Sequence, residues 1–253
     1  MLRRILTLAR WTTVEMLRER ILYVVLLFAV VLVASSCVLS PLAPGAQRKV
    51  VADFGLASID LLGVLVILLS GAGLVRREID RRSLDIILCR PVSRLEYLLG
   101  KCLGLVATLV VLVLAMTLVL ALTLTVSGFG WRATYLEAIG ATVLGLLVVA
   151  SLAVLFSTFT SPTLAALFTL ALYAAGHLAD TVVRLAANPA LGDLVEASRL
   201  VVPSLGLFNL RGAVVHGVAV PPAQLIGAAA YALGYSLAVL YAASVIFRRR
   251  ELR

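Results

Sequence analysis

The sequence predicts an all-α fold with six transmembrane helices, preceded by an amphipathic helix in the membrane interface. Of its 253 residues, 62% are hydrophobic and 14% are charged, whereas a soluble domain carries about 25% charged residues. The apolar residues form runs of about 20 residues, the length that spans a bilayer. Residues 1–253 therefore form a single membrane domain, with no room for a separate catalytic domain.

Residues 1–19 have the pattern of an interfacial amphipathic helix. Apolar residues recur at helical spacing and arginines occupy other faces, as in helices that lie along a membrane surface. A secretory signal is the alternative, because residues 33–37 loosely match a lipoprotein cleavage site. The long basic stretch and the apolar runs that follow argue against it.

Apolar runs place the six spans at residues 21–39, 54–75, 99–126, 135–156, 162–183 and 223–247. All eight prolines fall at or outside these boundaries, as expected because proline cannot continue the hydrogen-bond ladder of a helix. Sixteen of the 22 lysine and arginine residues then lie on one side of the membrane. Because basic loops stay in the cytoplasm, both termini are predicted to be cytoplasmic.

The connection 184–222 is longer than the others. It is moderately apolar and contains Pro189, Pro203 and a possible short helix near residues 191–200. On the outer face it would form a small cap, a pair of re-entrant helices or a plain surface loop, and the sequence does not choose among them.

The cytoplasmic segment 77–98 lies between the second and third spans. Its charges alternate in sign, and apolar Ile79, Leu84, Ile87 and Leu88 recur at near-helical spacing. Such a face usually needs a partner to bury it. The alternative is a solvated loop whose basic residues anchor the two spans.

This segment resembles the one that follows the second span in permeases of the ABC-2 class of ATP-binding-cassette transporters. The matching positions are Glu78, Ser83, Leu84, Asp85, Leu88, Pro91, Val92, Ser93, Arg94, Gly100 and Lys101. Two weaker likenesses are Arg18-Glu19-Arg20 before the first span and the stretch 203–211 before the last. The second is similar to the corresponding stretch in one branch of this class, the branch that contains the permease for maturation of nitrous-oxide reductase, a multicopper enzyme.

The resemblance implies that the segment holds a coupling helix, which sits in a groove of a cytoplasmic ATPase subunit. Leu84, Ile87 and Leu88 would fill the groove, and Glu78, Arg81 and Arg82 would set the register by charge. Ser83 and Pro91 complete the expected ATPase-coupling interface. The function implied is that of the membrane subunit of an exporter in a bacterial or archaeal plasma membrane.

The ATPase must be a different polypeptide, because the sequence contains no nucleotide-binding motif. Gly100-Lys101 is followed by Cys102 and lacks the upstream glycine of the phosphate-binding loop. ATP and Mg²⁺ are therefore expected on the partner and no cofactor on this chain. The resemblance implies two ATPase copies and a second permease copy, with a homodimer expected and a heterodimer left open.

Ionisable residues inside the spans are the second group of candidates, since they are costly there and often functional. Asp60 lies in the second span, and His177 and Asp180 share a face of the fifth. The alternative is that these groups lie at the outer interface or pair within the dimer, where water reaches them. No metal site is expected, because the three cysteines are scattered and the three methionines do not cluster. Tyr231 and Tyr235 would line a cavity or pack between helices.

Several other function classes are disfavoured. The net charge of +9 comes from basic residues that flank apolar runs, not from the continuous basic face that nucleic acid requires. A membrane-embedded enzyme would need a catalytic set, yet the sequence has neither H-E-x-x-H nor G-x-S-x-G. An adaptor that transmits ATPase force to a periplasmic partner, without moving a solute, remains the alternative to an exporter.

Overall fold

The computed structural model describes residues 2–19, 21–39, 46–74, 94–185, 202–218 and 220–249. This described part is built from helices and contains no β-strand. In chain order the helices are α1 (Leu2–Glu19), α2 (Ile21–Leu39), α3 (Gln47–Val66) continued by a π-helical turn (Ile67–Gly71), α4 (Arg94–Val126), α5 (Thr134–Phe159), α6 (Pro162–Leu185), a 3₁₀ helix (Leu205–Phe208), α7 (Arg211–His216) and α8 (Pro222–Arg249).

Among the described residues, four helices are long and apolar enough to cross a membrane. These segments are Gln47–Gly71, Glu96–Val126, Thr134–Phe159 and Pro222–Phe247. α2 and α6 occupy the positions of the two other predicted spans, with described apolar stretches of Tyr23–Ala34 and Pro162–Leu178. The all-helical, apolar fold agrees with the predicted membrane class, and the count of six spans stays a prediction.

Two helices begin earlier than the apolar runs indicate. α3 starts at Gln47 and α4 at Arg94, compared with the predicted span starts at residues 54 and 99. Hydropathy marks where lipid contact begins, whereas a helix continues into polar sequence as long as its backbone hydrogen bonds are made. At 33 residues, α4 is about 50 Å long and exceeds the hydrocarbon thickness of about 30 Å.

α5 lies at the centre of the bundle. It packs against α3, α4, α6 and α8, and its Val148, Ala150 and Ala153 are completely buried. α4 instead exposes Leu114, Leu118 and Leu122 on one face. An exposed apolar stripe of this kind suits contact with lipid tails, whereas α5 is enclosed by the other helices.

α1 packs closely along the first turns of α4. Ala9 and Thr12 are buried there, and the Thr13 hydroxyl contacts the carbonyl oxygens of Ala9 at 2.8 Å and Gly104 at 3.1 Å. A Cβ atom at Gly104 would lie only 2.6 Å from Thr12 Cβ, so glycine is what permits this approach. Trp11 points outwards and is 74% exposed. The interfacial position of α1 stays a prediction.

Residues 202–218, part of the long connection 184–222, are integrated into the bundle. The 3₁₀ helix and α7 bury Leu205, Phe208 and Val214 against α3, α5 and α6. A Cβ atom at Gly176 on α6 would lie 2.6 Å from the Pro203 carbonyl oxygen, so this backbone passes very close to α6. The side of the membrane on which the segment lies stays a prediction.

Candidate functional site

The predicted ATPase-coupling residues fall outside the described residues, which stop at residue 74 and resume at residue 94. These residues are Glu78, Arg81, Arg82, Ser83, Leu84, Ile87, Leu88 and Pro91. Their assignment to an ATPase interface therefore stays a prediction, and the structure contributes the surroundings of the two ends of the segment.

Both ends of the segment meet in one apolar cluster. Leu74 lies three residues before the segment, and Tyr97 and Leu98 are its last two residues. All three are buried together with Phe247 of α8. The Tyr97 and Phe247 rings stack with their centroids 6.4 Å apart, and the Lys101 ammonium lies 6.0 Å from the Tyr97 ring centroid. A displacement of the segment would therefore act on α3, α4 and α8 at once.

A π-helical turn separates α3 from this segment. The Ala72 amide donates to the Ile67 carbonyl oxygen at 3.1 Å, which spans five residues where an α-helix spans four. π-helical turns of this kind are uncommon and often accompany functional sites. This one lies where the second span approaches the predicted coupling segment.

The second candidate site is a cavity of about 270 Å³ among α3, α5, α6 and the 202–218 segment. It contains both predicted intramembrane residues whose side chains are described, Asp60 and His177. The lining residues are Ala57, Asp60, Leu61, Thr142, Gly145, Val149, Tyr173, His177, Leu205, Phe208, Asn209 and Arg211.

Asp60 is held by a residue of α6. The Tyr173 hydroxyl donates a hydrogen bond of 2.7 Å to Asp60 Oδ2. His177 Nδ1 lies 3.2 Å from the Tyr173 carbonyl oxygen, and since a carbonyl only accepts, Nδ1 carries the proton. The centroids of the Tyr173 and His177 rings are 4.5 Å apart. These contacts leave His177 Nε2 as the ring nitrogen that can serve a ligand.

Arg211, the first residue of α7, supplies a positive charge to the cavity. Its Nε lies 3.9 Å from Asp53 Oδ1, and the two side chains are 33% and 55% exposed. That distance is longer than a hydrogen bond, and water screens the pair. Thr142 donates its hydroxyl proton to the Ala138 carbonyl oxygen at 3.0 Å, so it offers the cavity only lone pairs.

The structure thus brings together some predicted residues and adds others. Asp60 and His177 line one cavity, whereas the side chain of Asp180, three residues beyond His177 on α6, lies outside the described residues. Sequence reasoning missed Tyr173, Asn209 and Arg211. Tyr173 could have been found from its spacing of four residues before His177, which puts both on one helix face.

The predicted tyrosine pair packs between elements. The Tyr231 and Tyr235 rings stack with their centroids 5.8 Å apart, and the Tyr231 and Phe208 ring centroids are 6.3 Å apart. The Ser204 amide donates to the Tyr231 hydroxyl at 3.0 Å. These contacts attach α8 to the 202–218 segment. Within the described residues, no group of three His, Cys, Asp or Glu side chains is arranged to hold a metal ion.

The comparison with known families decides the class. The model of the ABC-2 family transporter protein matches residues 7–252. The chain belongs to the ABC-2 transporter family. No curated protein matches it significantly.

As a member of the ABC-2 family, the chain is an integral membrane protein and the permease subunit of an ABC transporter. The ABC-2 permease is not itself an ATPase and works with an ABC ATPase in a lipid membrane. α3 of this ABC-2 protein carries Asp60, and the π-helical turn that continues it ends at Gly71, six residues before the predicted coupling segment.

Proposed function

We propose that this chain is the permease subunit of an ABC-2 exporter, which couples ATP hydrolysis by a separate cytoplasmic ATPase to movement of a substrate across the membrane. The observation that supports this most is the family match, which extends over nearly the whole chain. The helix bundle and its polar cavity are consistent with it, since a permease needs both spans and a polar site among them.

The proposed topology has six spans with both termini in the cytoplasm of a bacterial or archaeal cell. The distribution of lysine and arginine supports this orientation. In this arrangement the part of α4 that exceeds the bilayer thickness extends on the cytoplasmic side, where α1 covers it. Trp11 then faces the interface, a position that tryptophan favours.

The proposed coupling works through segment 77–98. ATP binding would bring two ATPase subunits together, and the coupling helix docked on each would move with its subunit. The cluster of Leu74, Tyr97 and Phe247 joins the ends of the segment to three helices, so its displacement would tilt the bundle. Such transmission is a shift between two packed arrangements of the helices.

The proposed assembly contains two copies of the permease, expected as a homodimer, and two ATPase subunits. One membrane domain of this size has too few spans to form a pathway with two sides by itself. The likeness of the stretch 203–211 favours the branch that contains the permease for nitrous-oxide reductase maturation. A periplasmic partner protein follows as a further expectation from that branch.

A second function is an adaptor that transmits ATPase force to a periplasmic partner without moving a solute. The packing of residues 202–218 favours it, because α7 contacts α3 through Arg211 and Asp53. A movement of α3 that begins at the coupling segment would therefore reach the predicted outer face directly.

The test is purification of the tagged chain in mild detergent, followed by identification of its partners and an ATPase assay. Wild type should retain a P-loop ATPase in equal ratio, and L84D together with L88D should lose it while still inserting into the membrane. V218D is the control, because Val218 is 58% exposed and lies on the opposite side of the membrane in the proposed topology. Retention of the ATPase by the double variant would contradict the coupling assignment. A periplasmic protein in the same complex would favour the adaptor.

A further inference from the structure

The cavity contains two opposite charges that do not neutralise each other. In the described part of the chain, Asp60 accepts a hydrogen bond from Tyr173, but a neutral hydroxyl does not cancel a carboxylate charge. Arg211 lies near Asp53 at 3.9 Å, beyond hydrogen-bond range. Both Asp60 and Arg211 line the same cavity, so it offers one anionic and one cationic group to a ligand.

The two charges are separated along the axis of α3. Asp53, beside Arg211, and Asp60 are seven residues apart on this helix, which is two turns or about 10 Å. A ligand that satisfies both groups therefore carries its opposite charges several ångströms apart.

The remaining lining limits the size and character of the ligand. Leu61, Val149, Leu205 and Phe208 form apolar walls, while Asn209 lies two residues before Arg211. A volume of about 270 Å³ is just below the range of about 300–1,000 Å³ for drug-sized ligands. The cavity therefore fits a small molecule with a short apolar middle.

We propose that this cavity binds a small zwitterion, with its ammonium group at Asp60 and its anionic group at Arg211 and Asn209. A ligand with only one charge would pair with one of these two groups, so it would gain one charged interaction where a zwitterion gains two. The same chemistry occurs in a phosphatidylethanolamine headgroup and in a free zwitterion such as an amino acid. The inference goes beyond the proposed function, because it concerns binding by this chain and does not require ATPase coupling.

The binding test uses the full chain in detergent and four probes. Two are zwitterions, glycerophosphoethanolamine and 4-aminobutyrate, and two carry one charge each, ethylamine and glycerol phosphate. At least one zwitterion should bind about tenfold or more tightly than either single-charge probe, since each charged hydrogen bond contributes roughly that factor. Equal affinity of zwitterions and single-charge probes would overturn the proposal.

Variants locate the two charges. D60N and R211Q should each weaken zwitterion binding about tenfold or more, whereas D60E and R211K, which keep the charge, should bind more tightly than the neutral variants. E15Q and R10Q, at exposed positions of α1, are matched controls that should bind like wild type. Unchanged binding in D60N and R211Q would overturn the proposal. If one neutral variant fails to fold, the comparison of the other neutral variant with its charge-keeping counterpart still tests the proposal.

Native mass spectrometry of the chain, purified from nanodiscs that contain phosphatidylethanolamine and phosphatidylcholine, distinguishes the two sources. If the wild type retains phosphatidylethanolamine and D60N and R211Q lose it, the ligand is a lipid headgroup. If the protein retains no lipid but binds a soluble zwitterion, the ligand is a free zwitterion. If the protein neither retains phosphatidylethanolamine nor binds a soluble zwitterion, the inference is overturned. Co-purification of the ATPase with D60N separates this failure from failure of the proposed function, because docking at segment 77–98 does not require Asp60.

Discussion

Tyr173 on α6 donates a hydrogen bond of 2.7 Å to Asp60 on α3, although the two residues are 113 positions apart in the sequence. This bond joins two helices within the bundle and fixes a carboxylate at the wall of the cavity. An ionisable group among apolar helices needs such a partner, since an unsatisfied polar atom is costly there. Tyr173 therefore positions Asp60 and stabilises the contact between α6 and α3.

Replacement of Tyr173 by phenylalanine should destabilise the protein, because Asp60 loses a hydrogen-bond donor. We expect a loss of about 1–2 kcal/mol, which corresponds to a fall of roughly 2–8 °C in Tm for a chain of this size. Thermal unfolding in detergent measures it. Y23F is the control, since Tyr23 is 77% exposed and its hydroxyl should matter little. Equal Tm values for the two variants would contradict the role of Tyr173.

Alanine at Gly104 should loosen the packing of α1 on α4. Its Cβ atom would lie 2.6 Å from Thr12 Cβ and 2.8 Å from the Ala9 carbonyl oxygen, and such overpacking costs about 1–3 kcal/mol. G140A is the matched control, because a Cβ atom there meets nothing within 4 Å. Alanine favours a helix over glycine by up to about 1 kcal/mol, so the two Tm shifts should have opposite signs. A stabilised G104A would show that α1 does not pack as described.

The ion pair between Arg211 and Asp53 should contribute little to stability. Both groups are partly exposed and 3.9 Å apart, and pairs of this kind are worth about 0–1 kcal/mol. A double-mutant cycle with D53N, R211Q and the combined variant should give a coupling energy below about 1 kcal/mol. A much larger coupling energy would mean that Asp53 occupies Arg211, and the guanidinium would then be less able to bind an anion.

The charge distribution predicts opposite sides for residues 15 and 218. In a background without other cysteines, V218C should react from outside intact cells with a membrane-impermeant maleimide. E15C should react only after the membrane is permeabilised. Both positions are exposed, so a difference in labelling reports the side of the membrane and not burial. Labelling of E15C from outside would reverse the proposed orientation.

Much of the helical architecture could be predicted because the signals are local. An apolar run of about 20 residues determines a membrane helix by its own length and composition, and α2, α5 and α8 lie where such runs occur. The starts of α3 and α4 could not be read in this way, because polar residues extend both helices past their apolar runs. Hydropathy predicts lipid contact, whereas backbone hydrogen bonds decide where a helix begins.

By itself, the sequence determined the membrane class, the positions of the main helices and the intramembrane candidates Asp60 and His177. Only the tertiary structure decided that Tyr173 and Arg211 join them in one cavity and that α1 approaches α4 closely at Gly104. The physical reason is the distance along the chain over which each signal acts. Composition and periodicity act along one helix, while hydrogen bonds and close backbone approach depend on which helix faces meet when the bundle packs.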